Sequence, residues 1–187
     1  MKNFLLSLSL LSIVILTGCS TSRKMNKPEA KIDDGNKNEV TIKKKVPSPS
    51  TDTKDAMPED LVTFAETLLG TKYKYGSESP ERGFDCSGFV NYVFKHFNQS
   101  VPRITIDFTN AGQEVPIAES QPGDIILFTG RDAKSGVVGH IGIITENNNG
   151  DVKFIHASTS RGVVISGMNS YFLPRFVKVT RFFPEGR

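Results

Sequence analysis

The aromatic residues divide this chain more sharply than any other feature. Twelve of its 13 phenylalanines and all four tyrosines lie within residues 59–187, while Ser20 to Pro58 contains no Phe, Tyr or Leu. A segment without large apolar side chains cannot offset the conformational entropy of folding. The sequence therefore predicts one folded domain over 59–187, long enough to bury a proper core, preceded by two segments of other kinds.

The first is an export signal over residues 1–18. Lys2 supplies a positive start, and Phe4 to Leu16 is apolar apart from three serines. Such a run is too short to span a bilayer as a helix but suits a signal peptide. The second, residues 19–58, is a disordered tether rich in Lys, Asp, Asn, Ser, Thr and Pro. Ser20 to Pro58 would span roughly 34 Å as a flexible coil and on the order of 130 Å when extended.

The formal net charge of +3 is not a property of the domain. Lys2 carries +1; the tether has nine Lys/Arg against six Asp/Glu; residues 59–187 have 13 against 14, or −1. The charge therefore gives no ground for nucleic-acid binding. Two cysteines exclude a disulfide framework and a four-thiolate zinc site.

Within the domain the periodicities predict helices first and strands after, an α+β pattern with an antiparallel sheet of about five strands. Pro58 opens a helix with Leu61, Phe64, Ala65, Leu68 and Leu69 on its apolar face, ended by Gly70. A second helix runs from Asp85-Cys86 to about Phe97, and a short third covers Ile106 to Ala111. Strands follow over 125–128, 140–145, 153–158, 163–166 and 176–182.

The residues that carry chemistry are few. Cys86 opens the second helix behind Asp85, a natural N-cap. The positive helix end favours thiolate over thiol, and the small Ser87 and Gly88 leave room for a carbonyl to approach backbone N–H donors. The alternatives are a buried structural thiol or a disulfide with Cys19. A thiol nucleophile needs a base, and the base an orienting group. His96 sits nearly three helical turns, about 15 Å, from Cys86 and reads as structural. His140 and His156 lie on neighbouring strands. They share a face only if opposed residues sum to an even number. A two-residue Asn149-Gly150 turn would separate them, whereas a three-residue loop, Asn148-Asn149-Gly150, would set His140 opposite Ser158 and His156 opposite Gly142. Catalysis thus predicts the three-residue loop, although Asn-Gly by itself favours the shorter one.

Five motifs in order carry a family resemblance: Gly70-Thr71-Lys72-Tyr73-Lys74-Tyr75-Gly76, Phe84-Asp85-Cys86-Ser87-Gly88-Phe89-Val90, Pro122-Gly123-Asp124, Gly139-His140-Ile141-Gly142-Ile143 and Phe154-Ile155-His156-Ala157-Ser158. They resemble the NlpC family of papain-like cell-wall cysteine peptidases, most nearly its Spr-type murein endopeptidase lipoproteins. One departure is Gly76-Ser77, where the family usually has a glycine pair. The resemblance implies a papain-like fold. It makes Cys86 the nucleophile, His140 the base and then the acid, and His156 the group that orients His140, with Tyr73, Asp85 and Ser87 around the substrate. Leu16-Thr17-Gly18-Cys19 resembles a bacterial lipobox, which implies cleavage before Cys19, its lipidation, and a membrane anchor in the cell envelope. Ser20 is compatible with outer-membrane sorting, facing the periplasm. The implied substrate is peptidoglycan, cleaved at an amide of its peptide stems or crosslinks by a monomeric enzyme with no metal or cofactor. The competing readings are a non-catalytic peptidoglycan-binding lipoprotein and an amidase or acyltransferase acting on other substrates.

Overall fold

A computed structural model describes residues 58–183; the expected export signal, Cys19 and the tether up to residue 57 lie outside the described residues, as do residues 184–187. Helix α1 (Pro58–Glu66) buries Leu61, Val62, Phe64 and Ala65. It ends four residues before Gly70. Beyond Glu66 the amides of Thr67, Leu68 and Leu69 each reach back three residues, to Phe64, Ala65 and Glu66, the tighter winding common at helix ends. Leu69, expected on the apolar face, is 46% exposed.

A two-stranded ribbon, β1 (Glu78–Ser79) and β2 (Gly83–Phe84), leads directly into helix α2 (Cys86–His96). Phe89, Val90, Val93 and Phe94 form its buried face, as their 3–4 spacing requires. The expected third helix is instead a 3₁₀ helix, Thr105–Asn110, in which only Phe108 is buried. One anchor cannot make a helical stripe, and two of its six residues are β-branched threonines.

Among the described residues the sheet has six strands rather than five, all antiparallel, in the order β3-β8-β4-β5-β6-β7. They are β3 (Gln113–Val115), β4 (Ile125–Thr129), β5 (Val138–Asn148), β6 (Asp151–Ser158), β7 (Gly162–Gly167) and β8 (Phe176–Arg181). The additional strand, β3, is a three-residue edge with only Val115 buried, too short and too polar to show a period. Both faces of the sheet are covered. Ile125, Leu127, Ile141, Ile143 and Ile155 belong to the cluster shared with α1 and α2. Ile126, Phe128, Ile144, Phe154 and Val179 form a second cluster with Phe172. Helices packed on an antiparallel sheet give the α+β architecture expected.

The β5–β6 hairpin departs from the expected loop. Asn148 pairs with Asp151, so the turn is the two-residue one, with Asn149 and Gly150 both at positive φ (54° and 96°). The pairs Asn147↔Val152 and Glu146↔Lys153 keep the odd sum. The register then shifts at Thr145, and Ile144↔Phe154 and Ile143↔Ile155 have the even sum. A β-bulge, not a longer loop, makes the parity change. Asn147 shows why the turn stays short: its amide donates to Ile117 O (3.0 Å), Ser120 O (3.2 Å) and Ser120 Oγ (3.0 Å) and accepts from Gly150 N (2.9 Å). The end of the hairpin is pinned, so the extra residue sits nearer the histidines.

Candidate active site

Cys86 is the first residue of α2; adjacent chain supplies its cap, while Arg103 and Thr105 reach Asp85 and the thiol from the segment after the helix. Asp85 caps the helix, its Oδ1 accepting from Gly88 N at 2.6 Å. A side chain at 88 would collide with Ser77 O at 2.3 Å, so glycine lets the loop before β1 lie against the helix start. Tyr73 bridges to Phe84, tying the loop that carries the phenol to the strand before Cys86. Arg103 grips Asp85 with both terminal nitrogens (3.3 Å each), donates to Ser87 Oγ (3.2 Å) and pairs with Glu78 (3.1 Å). The thiol has a hydrogen-bond contact with Thr105 Oγ1 at 3.4 Å.

The imidazoles are held differently. His140 Nε2 and His156 Nδ1 are 2.8 Å apart, and the rings meet edge to face. His156 is 2% exposed, and its Nε2 lies 3.0 Å from Ser166 Oγ, which also accepts from Arg161 Nη2 at 3.4 Å. Phe172 closes on both rings, with centroids at 6.3 Å from His140 and 5.4 Å from His156. Gly142 is needed here as well: a Cβ would come within 2.8 Å of the Phe154 ring and 3.3 Å of His156 Cβ.

Burial decides the ionisation of these groups. It pushes the Cys86 thiol up, and Asp85 adds to the effect; the Thr105 hydroxyl and the N–H groups of Ser87 and Cys86 oppose it without prevailing. This reverses the expectation that the helix end lowers the thiol: burial outweighs the N–H groups at the start of α2, and the Asp85 carboxylate adds to it. Burial also lowers His140, to about 4. His156 falls to about 3, through burial first and then the charges of His140 and Arg161. The Tyr73 phenol is raised by burial, then by Cys86 and Asp85. At neutral pH the resting site therefore holds a thiol and two neutral rings.

A thiol at a helix start, together with two bonded imidazoles on a covered antiparallel sheet, matches a known family. The NlpC/P60 family model matches residues 70–181, well over half of the chain. The chain belongs to the NlpC/P60 family. Among relatives, it is 38% identical over 115 residues to the Escherichia coli (strain K12) murein DD-endopeptidase MepS/murein LD-carboxypeptidase, covering 60% of this chain and 56% of that one. It is 31% identical over 176 residues to the E. coli (strain K12) probable endopeptidase NlpC, covering 93% and 97%. The chain thus spans little more than half the length of MepS but nearly all of NlpC. A crystal structure of an NlpC/P60 family protein from Bacillus cereus superimposes with a TM-score of 0.62 at 27% identity, covering 69% of this chain and 41% of that one.

Of the residues singled out from the NlpC/P60 motifs, His140 and His156 are in direct contact, and Asp85 and Ser87 share the Arg103 side chain. Cys86 and Tyr73 pack against the helix-side cluster, while the His140 ring packs with Phe128 and Phe172. Among the described residues the thiol is hydrogen-bonded to Thr105 rather than to an imidazole. His96 stacks on Phe64, centroids 3.7 Å apart, in keeping with a structural role. Pro122-Gly123-Asp124 serves the fold, since Asp124 receives Arg181 Nε and Nη2 at 2.8 Å each in a buried pair. Sequence reading missed Arg103, Thr105 and Ser166. Each lies in a different segment from the group it touches, and no local spacing announces it.

Proposed function

We propose that this protein hydrolyses an amide bond in the peptide stems or crosslinks of peptidoglycan, with Cys86 as nucleophile. The observation that carries the reading is the bonded pair of imidazoles, His140 and His156, in a chain whose helix-opening cysteine fits the NlpC/P60 motif. The name of the MepS relative supports the murein substrate.

The proposed chemistry begins from the resting thiol. A base role for His140 requires the tautomer in which its Nε2–H donates to His156 Nδ1, leaving a lone pair on His140 Nδ1. His156 Nε2–H then donates to Ser166 Oγ, which fixes that tautomer. As the sulfur attacks the carbonyl carbon, its proton passes to His140 Nδ1. Backbone N–H groups at the start of α2 receive the oxyanion. The C–N bond breaks, the departing nitrogen takes the proton from His140, and an acyl-thioester remains. Water, deprotonated by the same ring, attacks the thioester; the acid leaves and the thiol is restored. A neutral starting pair means that thiolate forms on attack, not before it. Tyr73, Asp85 and Ser87 border the substrate in this reading. Lipidation of Cys19 after removal of residues 1–18 anchors the enzyme in the bacterial envelope, at the outer membrane facing the periplasm, and the tether gives the domain its reach.

Digestion of purified peptidoglycan with mass spectrometry of the fragments tests the proposal. The full chain is expected to release peptide-cleaved fragments that Cys86→Ala does not. Identical fragments from both proteins would overturn it.

A further inference from the structure

A cavity of about 500 Å³ adjoins the imidazole pair, with His140 and His156 forming part of its wall. Three guanidinium side chains, Arg131, Arg161 and Arg175, line it, and among the described residues no Asp or Glu does. This is not a surplus of charge finding room, since the domain is net −1. Elsewhere, Arg103, Lys153, Lys178 and Arg181 each pair with a carboxylate. Among the described residues none of the three cavity arginines does. Arg161 donates to Ser166 Oγ. Arg175 donates to the carbonyls of Tyr171 (2.8 Å) and Arg131 (3.4 Å), with its guanidinium 4.0 Å above the Tyr171 ring. Its fork is thus held in place before any ligand arrives. Among the described residues, two lining groups are buried without a hydrogen-bond partner, Arg175 Nε and the hydroxyl of Thr129, a residue only 4% exposed. Arg161 lies within electrostatic reach of the pair, since its charge helps to hold His156 down.

Convergent guanidinium groups without counter-charges make a positive cavity, and their planar forks match a carboxylate bidentately. The volume suits one or two residues of a peptide. We propose that this cavity is a subsite for a carboxylate of the peptide substrate, gripped by Arg161 and Arg175 with Arg131 at its exposed edge, which anchors the chain beside His140. The proposal rests on the hydrolase reading for the identity of the peptide. Peptidoglycan stems offer three such groups, the α-carboxylate of γ-linked D-glutamate, the free carboxylate of diaminopimelate and the C-terminal carboxylate.

The test measures binding, so that it stands apart from turnover. Calorimetry on the full chain carrying Cys86→Ala uses the tetrapeptide L-Ala-γ-D-Glu-diaminopimelate-D-Ala and three derivatives, each amidated at one carboxylate: D-glutamate, diaminopimelate or the C-terminal D-alanine. One amidated form is expected to bind about tenfold more weakly than the free peptide, as loss of a charge-assisted bidentate contact implies, and this identifies the carboxylate. Arg161→Gln with Arg175→Gln should abolish that preference, and Lys at both positions should restore part of it. Equal affinity for all four peptides, no binding of any, or a preference that survives the Gln substitutions would overturn the subsite. Failure of the hydrolase reading would instead appear as peptidoglycan fragments unaffected by Cys86→Ala.

Discussion

Cys86 owes its position to residues beside it in the chain, whereas His140 and His156 owe theirs to a register set at the far end of a hairpin. Around the thiol, Asp85, Ser87 and Gly88 supply the cap and the open space within one helical turn. Around the imidazoles, the deciding residue is Thr145, whose bulge changes the parity of β5 against β6. A locally built site tolerates distant change, while one built by register fails wholesale when a strand slips.

Deleting Thr145 gives the largest contrast. Removing the bulge would turn either His140 or His156 away from its partner and exchange the buried faces of one strand. Peptidoglycan cleavage should fall to background and unfolding stability by more than about 3 kcal/mol, read by urea denaturation. A variant that keeps activity would show that the bulge does not set the register.

Stability should separate the two regions by pH. His140 and His156 are held at about 4 and about 3, whereas an unfolded histidine titrates near 6.5. Below that value the unfolded state takes up protons that the folded state refuses, so stability is full above about pH 6.5 and declines as pH falls toward 4. Urea unfolding of wild type and of a His140→Ala/His156→Ala chain at pH 7 and 4.5 checks the sign; the double variant should lose the smaller fraction of its own stability on acidification.

Ser166→Ala probes the imidazole half more gently. Loss of the hydroxyl that holds His156 should lower kcat about tenfold with little change in KM, and Ser166→Thr should recover part of the loss. An unchanged kcat would remove Ser166 from the orienting chain. Asp85→Ala is the corresponding change beside the thiol. It removes an N-cap worth about 1 kcal/mol, which should appear in the urea midpoint.

How far the site was legible in the sequence follows the same division. Helix α2 begins at the expected residue with the expected cap, because Asp85, Ser87 and the 3–4 spacing of its apolar residues are all local. The hairpin is not legible in this way: Asn-Gly indicates the short turn that forms, but Thr145 carries no local sign of the bulge. Strand β3 and the 3₁₀ helix at Thr105 depend on contacts with β8 and the core that periodicity does not encode. The raised thiol was missed for a related reason, since burial and the Asp85 carboxylate outweigh a helix end that looks favourable on its own.

The central claim is that these differently built halves act as one nucleophile and base. The direct measurement is a double-mutant cycle of kcat/KM with Cys86→Ser, His140→Ala and the two combined, on a soluble peptidoglycan fragment. If thiol and imidazole work as a unit, each single change should cost a factor on the order of 10³ or more and the double variant scarcely more than the worse single. Losses that multiply in the double variant would show two independent contributions and contradict the account.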